Sequence, residues 1–219
     1  MRFEGVLFDC DGVLVDSEPI TNGVLREVLN ESGWALTQAE CMQIFIGKAV
    51  RDERARIEAE TGQPLIDDWM RAFYARRDQR LRAELQTVAG ALDAVIAAHA
   101  HTAGRIACAS GADRPKVVMQ IGMAGMAPYF GDRIFSGHDL PRSKPHPDVY
   151  LAAATHLGAD PARCLVIEDT ATGAQAGLAA GATVWGYCQH GDGRAFDGMP
   201  VARVLHHMGE LVQHLAPLR

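Results

Sequence analysis

Short apolar runs alternate along most of the chain with segments whose apolar residues recur at helical spacing. The first run covers residues 3–9, and similar strand-like runs occur at 104–109, 133–136, 163–168 and 182–187. Helical patterns follow at about 113–123, 147–157, 170–180 and 204–215. Because alternating strands and helices build a parallel sheet with helices on its faces, we predict an α/β fold with an open sheet.

Residues 17–86 interrupt this alternation. Pro19 can begin a helix, Thr37 and Glu40 have the spacing of a capping box, and residues 65–85 carry an apolar stripe at helical spacing. The segment shows no convincing strand pattern. We therefore predict an all-helical insert at 17–86, between two parts of one α/β core at 1–16 and 87–219.

Composition and charge narrow the classes of partner. Of 219 residues, 48% are hydrophobic and 22% charged, which is typical of a globular protein, and the net charge of -6 argues against nucleic-acid binding. No apolar stretch is long enough to cross a membrane, and no signal peptide is recognisable. The five cysteines show no CxxC spacing. We expect reduced thiols in a cytoplasmic protein that is a monomer.

Polar residues stand where the predicted strands end, which is where open α/β sheets bind ligands. Asp9 and Asp11 follow the first strand, and a turn at Gly12 can direct their two side chains differently. A second strand ends in Ser110-Gly111, whose hydroxyl and amide groups before a helix suit a phosphate. A third ends in Glu168-Asp169, two acids that are costly to bury without a cation.

A lysine completes this set of polar residues. Lys144 stands in residues 143–148 (SKPHPD), where two prolines restrict the backbone just before a helix. Each of these features alone also fits an ordinary turn or a solvated surface. Their occurrence together, each at the end of a strand or helix of one core, indicates a reactive site.

These residues resemble the motifs of the haloacid dehalogenase-like phosphatase superfamily, in the branch with β-phosphoglucomutase and small sugar-phosphate phosphatases. The resemblance lies in residues 8–18 (FDCDGVLVDSE), Ser110, Lys144 and residues 166–177 (VIEDTATGAQAG), in that order over essentially the whole chain. Residues 135–148 (FSGHDLPRSKPHPD) locally resemble the 6-phosphogluconate phosphatase group. The resemblance implies a Rossmann-like core with a helical cap inserted after the first motif.

The resemblance also implies roles. Asp9 would be the nucleophile that becomes an aspartyl phosphate, and Asp11 the acid and base. Mg²⁺ would be bound by Asp9, the Asp11 backbone carbonyl and Asp169, with Glu168 as a ligand or a base beside them. The phosphoryl oxygens would contact residues that follow the strands or precede a helix: Gly12, Ser110, Gly111 and Lys144. In the cap, Gly47 and Arg51 are candidates for substrate binding, although their spacing departs from the family pattern and a solvated helix start is an equal interpretation.

Four functions stay open on the sequence. The first is hydrolysis of a small phosphorylated sugar or sugar acid, and the second is a sugar phosphomutase. The mutase is disfavoured because Thr21 stands near the position where family mutases tend to carry a histidine. The third is a phosphoglycolate phosphatase, and the fourth a protein that binds phosphorylated ligands without turnover. A thiol nucleophile at Cys10 is disfavoured, because the strand directs it away from Asp9.

Overall fold

The computed structural model describes residues 3–45, 48, 50–189 and 192–216. The chain divides into two compact units, one formed by Met1–Val15 with Thr87–Arg219 and the other by Asp16–Gln86. Two short strands, β2 (Val15–Asp16) and β3 (Gln86–Thr87), pair with each other where the chain passes from one unit to the other. None of the helices in the described ranges has the length and hydropathy needed to cross a membrane.

The first unit is built on a six-stranded parallel sheet. Its strands are β1 (Gly5–Phe8), β4 (Ile106–Ser110), β5 (Ile134–Ser136), β6 (Cys164–Glu168), β7 (Thr183–Tyr187) and β8 (Arg203–Leu205), in the order β5-β4-β1-β6-β7-β8. Strands β1, β4 and β6 are buried throughout. Parallel sheets need cover on both faces, so their strands are apolar without alternation. The predicted α/β fold with an open parallel sheet is confirmed.

Helices cover this sheet. They are α5 (Ala91–His101), α6 (Arg114–Met123), α7 (Ala127–Phe130), α8 (Asp148–His156), α9 (Ala171–Ala179) and α10 (Met208–Leu215). The core beneath α8 and α9 is rich in alanine, which lets these helices lie close to the strands. At Gly177 a methyl group would stand 2.8 Å from a carbon of Val184, so α9 needs a glycine there.

The register of the sheet places the ends of β1, β4 and β6 next to one another. Phe8 pairs with Cys108 of β4 on one side and with Ile167 of β6 on the other. Asp9 therefore follows the central strand at the level where Ser110 ends β4 and Glu168 ends β6. The sheet positions the predicted polar residues at one edge.

The C-terminal prediction was wrong in one respect. The helix expected over 204–215 begins only at Met208, because Arg203–Leu205 forms β8 at the sheet edge, paired with β7. A short apolar run cannot distinguish a strand from a helix by its periodicity, and the pairing with β7 is a long-range contact. The backbone N–H groups of His206 and His207 donate to Glu210 of α10 at 2.8 and 3.2 Å.

The second unit is helical in its described interior. It contains α1 (Glu18–Glu31), α2 (Gln38–Phe45), a 3-10 turn (Val50–Glu53), α3 (Arg54–Thr61) and α4 (Asp67–Glu84). The predicted capping box is present, since the Thr37 N–H donates to Glu40 at 2.8 Å and the Glu40 N–H to the Thr37 hydroxyl at 3.3 Å. The unit has its own apolar core around Leu25, Trp34 and Phe73.

Candidate active site

Asp9 lies directly after β1 and is almost completely buried. Its Oδ1 accepts a hydrogen bond from the Lys144 ammonium at 2.6 Å. Burial raises the pKa of Asp9 from 3.8 to about 7, against the opposing effect of Lys144 and with smaller contributions from Glu168 and Asp11. The carboxylate therefore depends on nearby positive charge to stay ionised near neutral pH.

Lys144 connects two carboxylates at this edge of the sheet. Besides Asp9, its ammonium donates to Glu168 Oε1 at 2.6 Å and to the Ala109 carbonyl at 2.9 Å. Although burial acts in the opposite direction, Asp9 and Glu168 raise the pKa of Lys144 well above its ordinary value. The loop that carries the lysine includes a cis peptide bond between Lys144 and Pro145. Lys144 therefore places a positive charge in contact with the predicted nucleophile.

Glu168 is held by partners that the sequence did not indicate. The buried hydroxyl of Tyr150 on α8 donates to Glu168 Oε1 at 2.6 Å. The Thr170 hydroxyl donates to Oε2 at 3.2 Å. Tyr150 occurs only two residues after the SKPHPD segment. A buried tyrosine hydroxyl needs a hydrogen-bond partner, so a tyrosine this close to Lys144 is the signal in the sequence that could have indicated the contact.

Three carboxylates form a possible metal site. Asp9, Glu168 and Asp169 each offer an oxygen within 4.8 Å of the others, and no other such group occurs among the residues that the structure describes. Gly12 permits this arrangement, because its φ is +78° and a methyl group there would lie 2.0 Å from Asp169 Oδ2. Closely spaced carboxylate oxygens suit Mg²⁺, so the residues present fit the predicted ion.

The Asp11 side chain has a different environment. Its Oδ1 accepts hydrogen bonds from Lys116 Nζ at 2.8 Å and from Gln120 Nε2 at 3.0 Å, both on α6. Neither Lys116 nor Gln120 was predicted from the sequence. They are four residues apart on one helix and thus share a face, but nothing local indicated that this face meets Asp11.

Ser110 and Gly111 lie at the end of β4, between the sheet and α6. Ser110 is buried, and its Oγ accepts the Ala112 N–H at 3.0 Å. No atom lies within 4 Å of a methyl group built on Gly111, so the space beside its backbone is open. The α6 cap is Asp113, whose side chain accepts the Lys116 N–H at 3.1 Å. The open space beside Gly111 is compatible with the predicted contact between this backbone and a phosphoryl oxygen.

Three further residues considered in the sequence are Arg51 and Gly47 of the helical insert and the disfavoured thiol of Cys10. Arg51 lies in the 3-10 turn of the helical unit and pairs with Asp52 at 3.5 Å. Gly47 lies outside the described residues. Cys10 is buried and donates to Gln120 Oε1 at 3.6 Å. A hydrogen bond with Cys108 and burial raise the pKa of the Cys10 thiol well above its ordinary value, which makes it a poor nucleophile.

Comparison with known proteins agrees with this geometry. The family model of haloacid dehalogenase-like hydrolases matches residues 3–181. The chain belongs to the haloacid dehalogenase-like hydrolase family. The match includes Asp9, Ser110, Lys144 and Asp169, which all lie at the ends of strands or in the loop that contacts them. The predicted membership of this family of enzymes is confirmed.

Individual members of the family are also similar. The 6-phosphogluconate phosphatase of Escherichia coli K12 is 32% identical over 85% of this chain and 83% of its own length. The fructose-1-phosphate phosphatase YqaB of the same organism is 28% identical over 82% of this chain and 94% of its own. A solved haloacid dehalogenase family hydrolase of Deinococcus radiodurans R1, holding phosphate and sodium, is 34% identical with a TM-score of 0.75, and the match covers 99% of both chains.

Proposed function

We propose that this family member is a Mg²⁺-dependent phosphomonoester hydrolase for a small sugar phosphate or sugar-acid phosphate. The observation that carries the proposal is the contact of 2.6 Å between Lys144 and Asp9, beside the carboxylates of Glu168 and Asp169. A carboxylate in this position can attack phosphorus, while the neighbouring lysine offsets the negative charge of the substrate.

The reaction has two half-reactions. In the first, an Asp9 oxygen bonds to phosphorus, the bond from phosphorus to the ester oxygen breaks, and Asp11 gives a proton to that leaving oxygen. In the second, water attacks the same phosphorus and passes a proton to Asp11. The bond to Asp9 then breaks and inorganic phosphate is released. Ser110, Gly111, Gly12 and Lys144 hold the phosphoryl oxygens in both steps.

Mg²⁺ bound at this edge would neutralise charge on the phosphoryl group. Its protein ligands would be the carboxylates of Asp9 and Asp169 and the backbone carbonyl of Asp11. Both oxygens of Glu168 already accept hydrogen bonds, from Lys144 and Tyr150 on one side and from Thr170 on the other. This favours Glu168 as a residue that orients Lys144 over Glu168 as a direct ligand.

The substrate class rests on the relatives. The two Escherichia coli phosphatases are named for a phosphorylated sugar acid and a phosphorylated sugar, and the Deinococcus protein holds phosphate. The helical unit would act as the cap, with Gly47 and Arg51 as candidates for contact with the rest of the substrate. We further propose a cytoplasmic monomer that binds a small phosphorylated metabolite, and neither nucleic acid nor a membrane.

A phosphomutase is the second candidate. It would return the phosphoryl group to another hydroxyl of the same sugar instead of water. Thr21 stands where family mutases tend to carry a histidine, and a hydroxyl cannot replace an imidazole as a proton carrier near neutral pH. A phosphoglycolate phosphatase would share the mechanism and differ only in substrate.

The test is release of inorganic phosphate from a panel of sugar, sugar-acid and glycolate phosphates with Mg²⁺. We expect release that a chelator stops and that Asp9→Asn abolishes, with that variant shown to be folded. Isomerised sugar phosphate without release would favour the mutase. Binding without either product would contradict an enzymatic role for the site.

A further inference from the structure

The proposed mechanism leaves unused a buried contact between Asp11 and α6. Lys116 and Gln120, one helical turn apart, both donate to the same oxygen of Asp11, at 2.8 and 3.0 Å. The Lys116 side chain is 5% exposed and Gln120 is fully buried. A buried ammonium is costly unless it is paired, so this contact is not an incidental surface ion pair.

The network extends one step further. Gln120 accepts from the Cys10 thiol through Oε1 while donating to Asp11 through Nε2. These two bonds define which way the amide points. Cys10 and Asp11 are neighbours in the chain, so a single glutamine side chain fixes two consecutive residues of the turn after β1.

The N-terminal part of α6 is itself held in place. Asp113 caps the helix through the backbone N–H of Lys116, the residue that binds Asp11. The helix begins four residues after Ser110, so its position is also set by the end of β4. The donor atoms that meet Asp11 thus come from a helix whose start is fixed by its cap and by the end of β4.

We propose that Lys116 and Gln120 are positioning residues for the acid–base step, and that they act by fixing the orientation of the Asp11 carboxyl group. This rests on the proposed function of Asp11. Two donors on Oδ1 determine the plane of the carboxyl group and therefore the direction of Oδ2. In the first half-reaction the proton passes from Asp11 to the ester oxygen as the bond from that oxygen to phosphorus breaks, and such a transfer needs a defined direction.

The dependence on the leaving group separates this role from others. A sugar alkoxide is a poor leaving group and needs the proton, whereas p-nitrophenolate leaves without one. Loss of Asp11 orientation should slow phosphoryl transfer from the sugar phosphate alone. A lysine that bound the substrate phosphate directly, or a lysine that only stabilised the fold, would affect both substrates equally.

The experiment measures the single-turnover rate of phosphoryl transfer to the enzyme by rapid quench with Mg²⁺. It compares fructose 1-phosphate with p-nitrophenyl phosphate in the wild type and in Lys116→Met. We expect the variant to lose at least about tenfold with the sugar phosphate and less than about threefold with the aryl phosphate. Arg114→Met is the matched control, because it removes an exposed charge from the same helix, and it should change neither rate by more than about twofold.

Equal losses with the two substrates, or no loss with either, would overturn the proposal. If Lys116→Met does not fold, Gln120→Met removes the second donor without changing the charge, and the same selective loss is then the criterion. A wild type that takes up no phosphoryl group from either substrate would instead refute the proposed function. If the wild type takes up the phosphoryl group and Lys116→Met does so at the same rates with both substrates, only the positioning role is refuted.

Discussion

Gly173 on α9 faces Glu168 so closely that the substitution Gly173→Ala tests the site directly. A methyl group at this position would lie 1.8 Å from Glu168 Oε1 and 2.0 Å from its carboxyl carbon. No side-chain contact of that length exists, so Glu168 must move. This movement would break or distort the hydrogen bonds that Glu168 Oε1 accepts from the Lys144 ammonium and the Tyr150 hydroxyl, each 2.6 Å long.

The magnitude follows from two opposing contributions. Replacing glycine by alanine inside a helix stabilises the folded state by about 0.5–1 kcal/mol. Breaking a buried charge pair costs about 3–5 kcal/mol. We therefore expect Gly173→Ala to lower the free energy of unfolding by about 2–4 kcal/mol. In a protein of this size that lowers the melting temperature by about 5–15 °C. Turnover should fall as well, because Lys144 loses one of its anchors beside Asp9.

The assay is calorimetric unfolding together with phosphate release per folded molecule, with two glycine controls. Gly23→Ala meets no atom within 4 Å on α1 and should be neutral or slightly stabilising. Gly177 lies on the same helix as Gly173, and a methyl group there would meet Val184 of β7. Gly177→Ala should therefore lose stability but keep its turnover. Gly173→Ala with the melting temperature and turnover of Gly23→Ala would refute the reasoning.

Three further predictions concern neighbouring side chains. Tyr150→Phe removes a buried hydrogen bond to Glu168, so calorimetry should show a loss of about 1–3 kcal/mol, with a smaller fall in turnover than in Lys144→Met. The pKa of Asp9 is raised from 3.8 to about 7, so between about pH 4 and pH 7 the folded state holds a proton that the unfolded state has lost. The free energy of unfolding of the metal-free protein should therefore fall as pH rises through this range. Over the same range the Mg²⁺ affinity, measured by titration calorimetry, should rise and then level off. Asp9→Asn should remove both trends. Cys10→Ala should keep turnover within about threefold, whereas a large loss would support a role for the thiol.

The strand ends could be predicted because their signal is local. Asp9 and Glu168 each follow an apolar run, and the carboxyl ends of parallel strands meet at one edge of the sheet. The sequence alone therefore indicated which residues would gather. The resemblance to a known family then supplied their proposed roles.

The residues that hold the site could not be predicted in the same way. Tyr150, Lys116 and Gln120 lie on helices, and helical periodicity indicates which face is buried but not which loop it meets. In the sequence Lys116 resembles an ordinary surface lysine, and its buried contact with Asp11 depends on how α6 packs against the turn after β1. The strand β8 was missed for a related reason, since its pairing with β7 is a contact between distant parts of the chain.

The central claim is that Asp9 accepts the phosphoryl group, and chemical trapping tests it most directly. The enzyme would be mixed with Mg²⁺ and p-nitrophenyl phosphate, quenched in acid during the first turnover and reduced with borohydride, which converts an aspartyl phosphate to homoserine. Peptide mass spectrometry should then find homoserine at position 9, and no homoserine when substrate is omitted. No homoserine at position 9 in enzyme quenched after p-nitrophenol has left but before phosphate is released, or homoserine at position 11 or 169 instead, would contradict the account.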